Sequence, residues 1–315
     1  MANILTSSSL IESVKRRGLI PSSQSTFTDD DFLAIANEEL TIGLVPSILE
    51  VFEEFYVKAE EVPIVASTAE YPIPYRAIGG KLRDLMFKDD NGNVREMTRI
   101  PPENLPYFQS VATTSIYNVF YVRGNSIILV PEVSATPVGR LLMTYYIRPN
   151  KLVKESRIAI ITGIDFNSGD ITVDKVPANI KSGSLVDFLE VKSGHKTKAF
   201  DKTTSGVSST SKTISFSPAD IPKDLLIGDH IATAEECMIP QCPSDLHGVL
   251  AQRATARILD ALGDAAGLAS ANAKLQEMES KTFDLIDNRV VGAVQKINPL
   301  RSLLRTGKLR ARRRI

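Results

Sequence analysis

Lys81-Leu82-Arg83-Asp84-Leu85-Met86-Phe87-Lys88-Asp89-Asp90-Asn91-Gly92-Asn93-Val94-Arg95-Glu96-Met97-Thr98-Arg99-Ile100 reads as two strands joined by the strongest hairpin signal in the chain. Asn91-Gly92 tolerates the positive φ angles of primed turns, so the runs on either side, 81–88 and 94–100, are expected to pair. The acidic turn lacks the glycine at position six and the glutamate at position twelve of a calcium loop, so it is a turn and not a cation site. Just upstream, Tyr71-Pro72-Ile73-Pro74-Tyr75 cannot be helical, because two prolines remove donors and push their predecessors toward extended geometry. Downstream, Pro101 to Leu105 opens a short helix. Asn118–Val122 and Ile127–Val130 form a second hairpin around Arg123-Gly124-Asn125, and Arg140 to Ile147 supplies a further strand.

Helical patterns lie on both sides of this β block. Thr28-Asp29-Asp30-Asp31 precedes the periodic series Phe32, Ile35, Ala36, Leu40. Oxygen-bearing side chains there satisfy free amides and place negative charge at the positive end of the dipole, which explains the acids better than a divalent ion does. Gly43 and Pro46 should interrupt this helix, and a second would carry Ile48, Val51, Phe52, Phe55 and Ala59 on one face. Near the other end, Ser244-Asp245 is expected to cap a helix bearing Leu246, Val249, Leu250, Ala254, Ile258 and Leu262. Past Gly263 and Gly267, a seam of Leu268, Ala271, Leu275, Met278 and Leu285 reads as a face packed on a neighbouring helix.

Between the blocks, residues 157–236 read as a small β module. Its strand candidates are 158–161, 171–173, 185–189, 213–216 and 230–232. Ile171, Val173, Ile180, Gly183 and Val186 find an internal counterpart in Ile214, Phe216, Ile221, Gly228 and Ile231, which suggests a duplicated two-strand unit. His195 to Lys212 is almost wholly polar and is expected to be a long exposed loop.

The expected fold class is therefore α+β: a helical core from N- and C-terminal helices with inserted antiparallel β domains. The plan is a flexible N-terminal arm (1–28), core helices (29–61), a β-rich domain (62–156), a barrel-like β module (157–236), C-terminal core helices (237–288) and a basic C-terminal arm (289–315).

With 315 residues, 43% of them hydrophobic, the chain can bury a large core without staples. No run approaches 18 uninterrupted apolar residues, and the start lacks a basic region ahead of an apolar stretch, so neither a membrane span nor secretion is expected. Two cysteines fit a reducing compartment.

No catalytic set emerges. His195, His230 and His247 sit in no motif with a nucleophile and an orienting acid, and phosphate-binding glycine loops are absent. Cys237, Cys242 and His247, with His230 upstream, come nearest to a metal set, but prolines interrupt the segment and no second cysteine pair exists. Two reduced thiols at a domain junction are the better reading. Asp165 to Asp170 meets Val176 at the twelfth calcium-loop position and is read as a hairpin turn. No enzyme activity, cofactor or metal is expected.

Charge is the strongest functional signal. The chain carries 37 Lys plus Arg and 37 Asp plus Glu, yet nine of the bases and none of the acids fall in residues 289–315. The preceding body therefore holds 28 bases against 37 acids, near −9, and the arm is +9. Such an arm repels itself until a negative surface receives it. Nucleic-acid phosphates qualify, and so does an acidic protein groove. The leucines interleaved with the bases favour the groove, since tracking phosphates needs no apolar side chains. The candidate docking residues are Leu300, Arg301, Leu303, Leu304, Arg305, Lys308, Leu309, Arg310, Arg312, Arg313 and Arg314.

Residues 29–40 with Gly43-Leu44-Val45-Pro46 resemble the first helix of head-to-tail adaptor proteins of tailed bacteriophages. Tyr71 to Arg83, Phe120 to Pro131 and Tyr145-Tyr146-Ile147-Arg148-Pro149 are similar to β segments of such neck proteins. The resemblance implies a structural virion protein at the neck, in the host cytoplasm during assembly. It implies a homo-oligomeric ring, commonly of twelve copies, docked under the portal protein and joined to tail and neck proteins. Genomic DNA would pass through its channel unbound, and the C-terminal extension would reach the portal. It also implies that the 157–236 module is an addition. A tail-side ring or nozzle of the neck, or a nucleic-acid-binding protein using the basic arm, are the alternatives.

Overall fold

The computed structural model describes residues 4–21, 26–111, 119–130, 139–191 and 196–286. Helix α1 (Ser7–Arg17) begins at Thr6, whose hydroxyl accepts the Ser9 amide, and buries Leu10, Ile11 and Val14 against the C-terminal helices. The expected flexible arm over 1–28 thus holds a docked helix: an apolar face spaced at three and four residues finds a groove to fill. Helix α2 (Asp29–Glu38) has a reciprocal cap, the Thr28 amide donating to Asp31 and the Asp31 amide to the Thr28 hydroxyl.

At Gly43 the rod does not break. It widens into a π-helical turn (Glu39–Leu44) and continues as α3 (Val45–Val51), with Pro46 in the first turn where its missing N–H is harmless. A Cβ on Gly43 would lie 2.3 Å from Arg253, which crosses here toward Glu39 and Glu279. The rod is apolar and long enough to cross a membrane by length and composition. Its Phe32, Leu33, Ala36, Leu40, Leu44, Val45 and Ile48 are buried inside the protein.

The second helix ends earlier than its pattern suggested. Phe52 turns out of it, a 3-10 turn follows (Glu53–Tyr56), and Ala59 lies in strand β1 (Val57–Pro63). That strand pairs in unbroken register with a later one, from Val57↔Tyr146 to Pro63↔Arg140, and this ladder outweighs local helical spacing.

The β-rich region continues with β2 (Glu70–Pro72), β3 (Ala77–Lys88), β4 (Val94–Glu96), β5 (Thr98–Arg99), the short α4 (Leu105–Val111), β6 (Val119–Arg123), β7 (Ser126–Val130) and β8 (Arg140–Ile147). Both turns expected here form, β6 with β7 across Gly124 and β3 with β4 across Gly92, but only 94–96 of the expected arm 94–100 pairs with β3, since Thr98–Arg99 crosses to the other sheet and lies parallel to β6. The strands make two four-stranded sheets, β1-β8-β3-β4 and β2-β7-β6-β5, sharing a core of Leu85, Phe87, Met97, Ile127, Leu129, Leu141 and Met143.

After β9 (Lys151–Leu152) the chain enters a closed barrel of β10 (Ala159–Asp165), β11 (Asp170–Val173), β12 (Leu185–Leu189), β13 (Thr197–Ser208), β14 (Thr213–Phe216) and β15 (His230–Thr233), ordered β10-β11-β14-β13-β12-β15. It leaves through β16 (Glu236–Cys237), which lies parallel to β9. Residues 197–208 of the expected polar loop are strand, because their ladders to β12 and β14 close the barrel.

The barrel is one three-stranded unit used twice, β10-β11-β12 and β13-β14-β15. Its hydrogen bonds repeat. Val173 donates to the Lys212 carbonyl at 2.9 Å as Phe216 donates to Gly169 at 2.8 Å; Gly183 donates to Thr204 at 2.8 Å as Gly228 donates to Ile161 at 2.9 Å. The Lys181 amide meets the Ser184 hydroxyl as the Leu226 amide meets Asp229. Most of the pairs expected from sequence hold, but Ile180 matches Leu225 and not Ile221. The second copy is two residues longer, with a 3-10 turn at Pro218–Asp220.

A 3-10 turn (Ser244–Leu246) without a side-chain cap leads into α5 (His247–Leu262), which stops at Gly263 with φ +75°. The two-residue connection folds α6 (Ala265–Ile286) back on α5, where Gln252 donates to the Ala271 carbonyl. Helix α5 is the centre of the main core, touched by α1, α2, the π turn and α6.

Candidate functional site

The eleven residues selected from Leu300 to Arg314 lie outside the described residues, as does His195. The described chain ends at Ile286, and Phe283 and Ile286 pack on the main core, so the segment leading to the arm starts from an anchored helix end.

The densest polar site inside the body is where three units meet. Arg76, in the turn between β2 and β3, is buried and faces the barrel. Its Nη1 and Nη2 donate to the two carboxylate oxygens of Asp187 on β12 at 2.9 and 3.0 Å. Nη2 also reaches Asp201 on β13 at 2.7 Å, and Nη1 reaches Asn150 at 3.2 Å. The planar fork suits this bidentate geometry. The guanidinium lies 4.8 Å from the Phe200 ring centre, and Lys58 of β1 approaches the same ring at 4.9 Å. Asp187 accepts further from the Asn150 amide, the Asp201 N–H and the Glu235 N–H, so a fully buried carboxylate is saturated.

The network reaches the helical core. The Asn150 N–H donates to Gln241 at 2.7 Å, and the buried Tyr56 hydroxyl donates to the Gln241 carbonyl at 2.8 Å. Burial opposes the charge on Arg76, but Asp201 and Asp187 outweigh it and raise its pKa. Burial and the bond to Asp201 push Tyr75 up to about 12. Every member is a donor or acceptor already used. The arrangement fixes the sheets, barrel and helices relative to one another and offers no free base or nucleophile. An open cleft of about 350 Å³ borders it, with Arg76 in its wall and Ile42, 71% exposed, along it.

The other sequence candidates are structural. Cys237 and Cys242 are buried free thiols, raised by burial, and Cys237 donates to the Asn150 carbonyl. His247 is buried at the start of α5, and His230 is a barrel residue on β15. Among the described residues no group of His, Cys, Asp and Glu is placed to hold a metal.

Sequence reasoning passed over Arg76, Asp187 and Asp201. The repeat was the usable signal: strand β10 maps onto residues 202–208, which would have marked β13 as a strand with Asp201 at its bend.

Residues 5–166 match the family model described as SU10 adaptor protein, from α1 through both sheets to the first barrel strand. No curated protein matches the chain.

Proposed function

Because the chain belongs to the SU10 adaptor family of phage head-to-tail adaptors, we propose that it is a ring subunit of the virion neck that docks beneath the portal through residues 289–315. The family match carries this reading. The family's role is structural, placed at the neck in contact with portal and tail proteins.

Charge supports the finer assignment. A body near −9 per copy gives a channel wall that repels phosphates, so DNA passes without sticking. The +9 arm leaves its own subunit for an acidic portal clamp, where arginine pairs and the leucines Leu300, Leu303, Leu304 and Leu309 hold it. Around a ring, commonly of twelve copies, many weak arms act together through effective concentration. The latch at Arg76 supports a mechanical role, since it keeps the inserted barrel in fixed relation to the ring body.

Deleting residues 289–315 tests the proposal. The truncated protein should remain folded and fail to co-sediment with portal particles, and unchanged co-sedimentation overturns it. If the deletion instead abolishes duplex DNA binding that weakens steeply with salt, the arm is a nucleic-acid ligand.

A further inference from the structure

A second basic surface lies on the body itself. Between α1 and α6 runs an open groove of about 640 Å³ lined by Ser13, Arg16, Arg17, Lys274 and Met278. The lining holds three cations and no carboxylate, on a body whose net charge is near −9. Arg17 is half-buried, and its described partners are neutral: Nε donates to Ser13 at 3.2 Å and Nη1 to Gln252 at 3.0 Å and to the Met278 sulfur at 3.7 Å. Arg16 is 81% exposed along its side chain and meets Glu12 only at 3.9 Å. Glu277 is hydrogen-bonded by Lys281, and the nearby Lys274 adds a smaller pull that also lowers its pKa.

We propose that this groove receives a carboxylate-bearing segment of a second copy of the chain, so that it is the cationic half of the subunit-to-subunit contact. The inference rests on the ring reading and deepens it. A half-buried guanidinium between two helices is reached by a glutamate or aspartate side chain, which is narrow and pairs with it bidentately. The three cations of the groove could neutralise only about three phosphates, too few to hold a duplex firmly against salt. A closed ring needs two different complementary patches on each subunit. The chain supplies both, since exposed Glu50 and Glu54 have no ion-pair partner among the described residues.

The test uses the full chain and Arg16→Glu/Lys274→Glu, both exposed positions, with Arg16→Gln/Lys274→Gln as a gentler pair. Each is loaded on portal particles and the copies per particle are counted against concentration. A mixture of isotopically light and heavy protein is also treated with a carbodiimide, which joins Lys274 Nζ to any carboxylate it touches. The proposal expects mixed-isotope links at Lys274, and charge-reversed protein requiring about tenfold more protein for equal loading. Equal loading, or Lys274 linked only within one copy or to another protein, overturns it. If wild type does not load at all, the arm-docking reading fails, and the groove is judged by salt-sensitive self-association, which the variant must lose. A duplex DNA shift that depends on Arg16 and Lys274 would make the groove a phosphate site and overturn the assignment.

Discussion

Asp187 and Ala232 stand directly opposite each other on β12 and β15, and they are also the same position of the duplicated barrel unit. Ile171 and Ile214 repeat that relation on β11 and β14. The barrel's approximate two-fold axis therefore passes between these pairs. Only one side of the first pair is charged. Asp187 reaches Arg76 across the junction, whereas Ala232 and Ile158 are buried in the main helical core. Two halves of common design have been fitted to two different walls, one ionic and one apolar.

Removing one member of the ionic wall should be costly. Asp187→Ala leaves Arg76 buried with the half-exposed Asp201 as its one carboxylate partner among the described residues, and the expected loss is about 3–5 kcal/mol. Replacing Arg76 and Asp187 together by Met and Leu should recover the part that comes from the unpaired guanidinium, while the Asn150 amide and the Asp201 and Glu235 N–H groups stay without their acceptor. Chemical denaturation midpoints of the three proteins decide the matter, and a double variant as unstable as the single one counts against the latch.

The barrel glycines should separate by their surroundings. Gly183 and Gly228 have φ of +83° and +95° with open space where a Cβ would stand. Alanine at either should cost about 1–2 kcal/mol through the left-handed backbone alone. At Gly169 a Cβ would lie 2.2 Å from the Phe216 carbonyl oxygen, so Gly169→Ala should cost several times more. Its twin Lys212 has φ +53° with a full side chain, and Lys212→Gly should stabilise slightly. Thermal melts of the four variants test that order.

Acid should loosen the N-terminal helix. The Leu5 amide donates to His247 Nδ1 at 3.1 Å, while Nε2 lies 3.2 Å from the Pro240 carbonyl, which fits the neutral ring protonated at Nε2. Burial holds His247 down at about 4, and burial does the same for His230 against the pull of Asp229. Both values lie below the ordinary 6.5, so the unfolded chain takes up protons first. Their contribution is complete above pH 6.5 and is lost as the pH falls toward 4, at about 1.4 kcal/mol per pH unit for each ring. Hydrogen exchange across α1 and the stability slope between pH 6.5 and 4 should show it. His247→Gln should flatten the slope by one proton, and an unchanged slope refutes this.

Neither thiol should react while the protein is folded. Burial raises both Cys237 and Cys242 well above the usual thiol range, leaving almost no thiolate near neutral pH. Maleimide labelling should be negligible natively and should reach two groups per chain on unfolding. Fast native labelling would mean that the junction opens.

What was legible in the sequence was whatever local chemistry dictates. Asn91-Gly92 and Gly124-Asn125 mark turns that exist, and Thr28 with Asp31 marks a helix start that exists. The errors lie where distant partners decide. Ala59 follows helical spacing but is claimed by the ladder to β8, and Thr197 to Ser208 looks like loop until β12 and β14 lie beside it. Gly43 reads as a break, yet it makes room for Arg253, a residue far along the chain. The Arg76 site was invisible for the same reason: each of its charges looks like ordinary surface until three units close on it.

The parallel pair β9 and β16 sets Lys151-Leu152 beside Glu236-Cys237. The chain therefore leaves for the barrel and returns from it at neighbouring points, about 5 Å apart as adjacent strands are. A lineage could splice such a cassette in or out with a short bridge. Its remaining obligations would be a neutral replacement for Arg76 and a fresh cover for the apolar wall left at the helices.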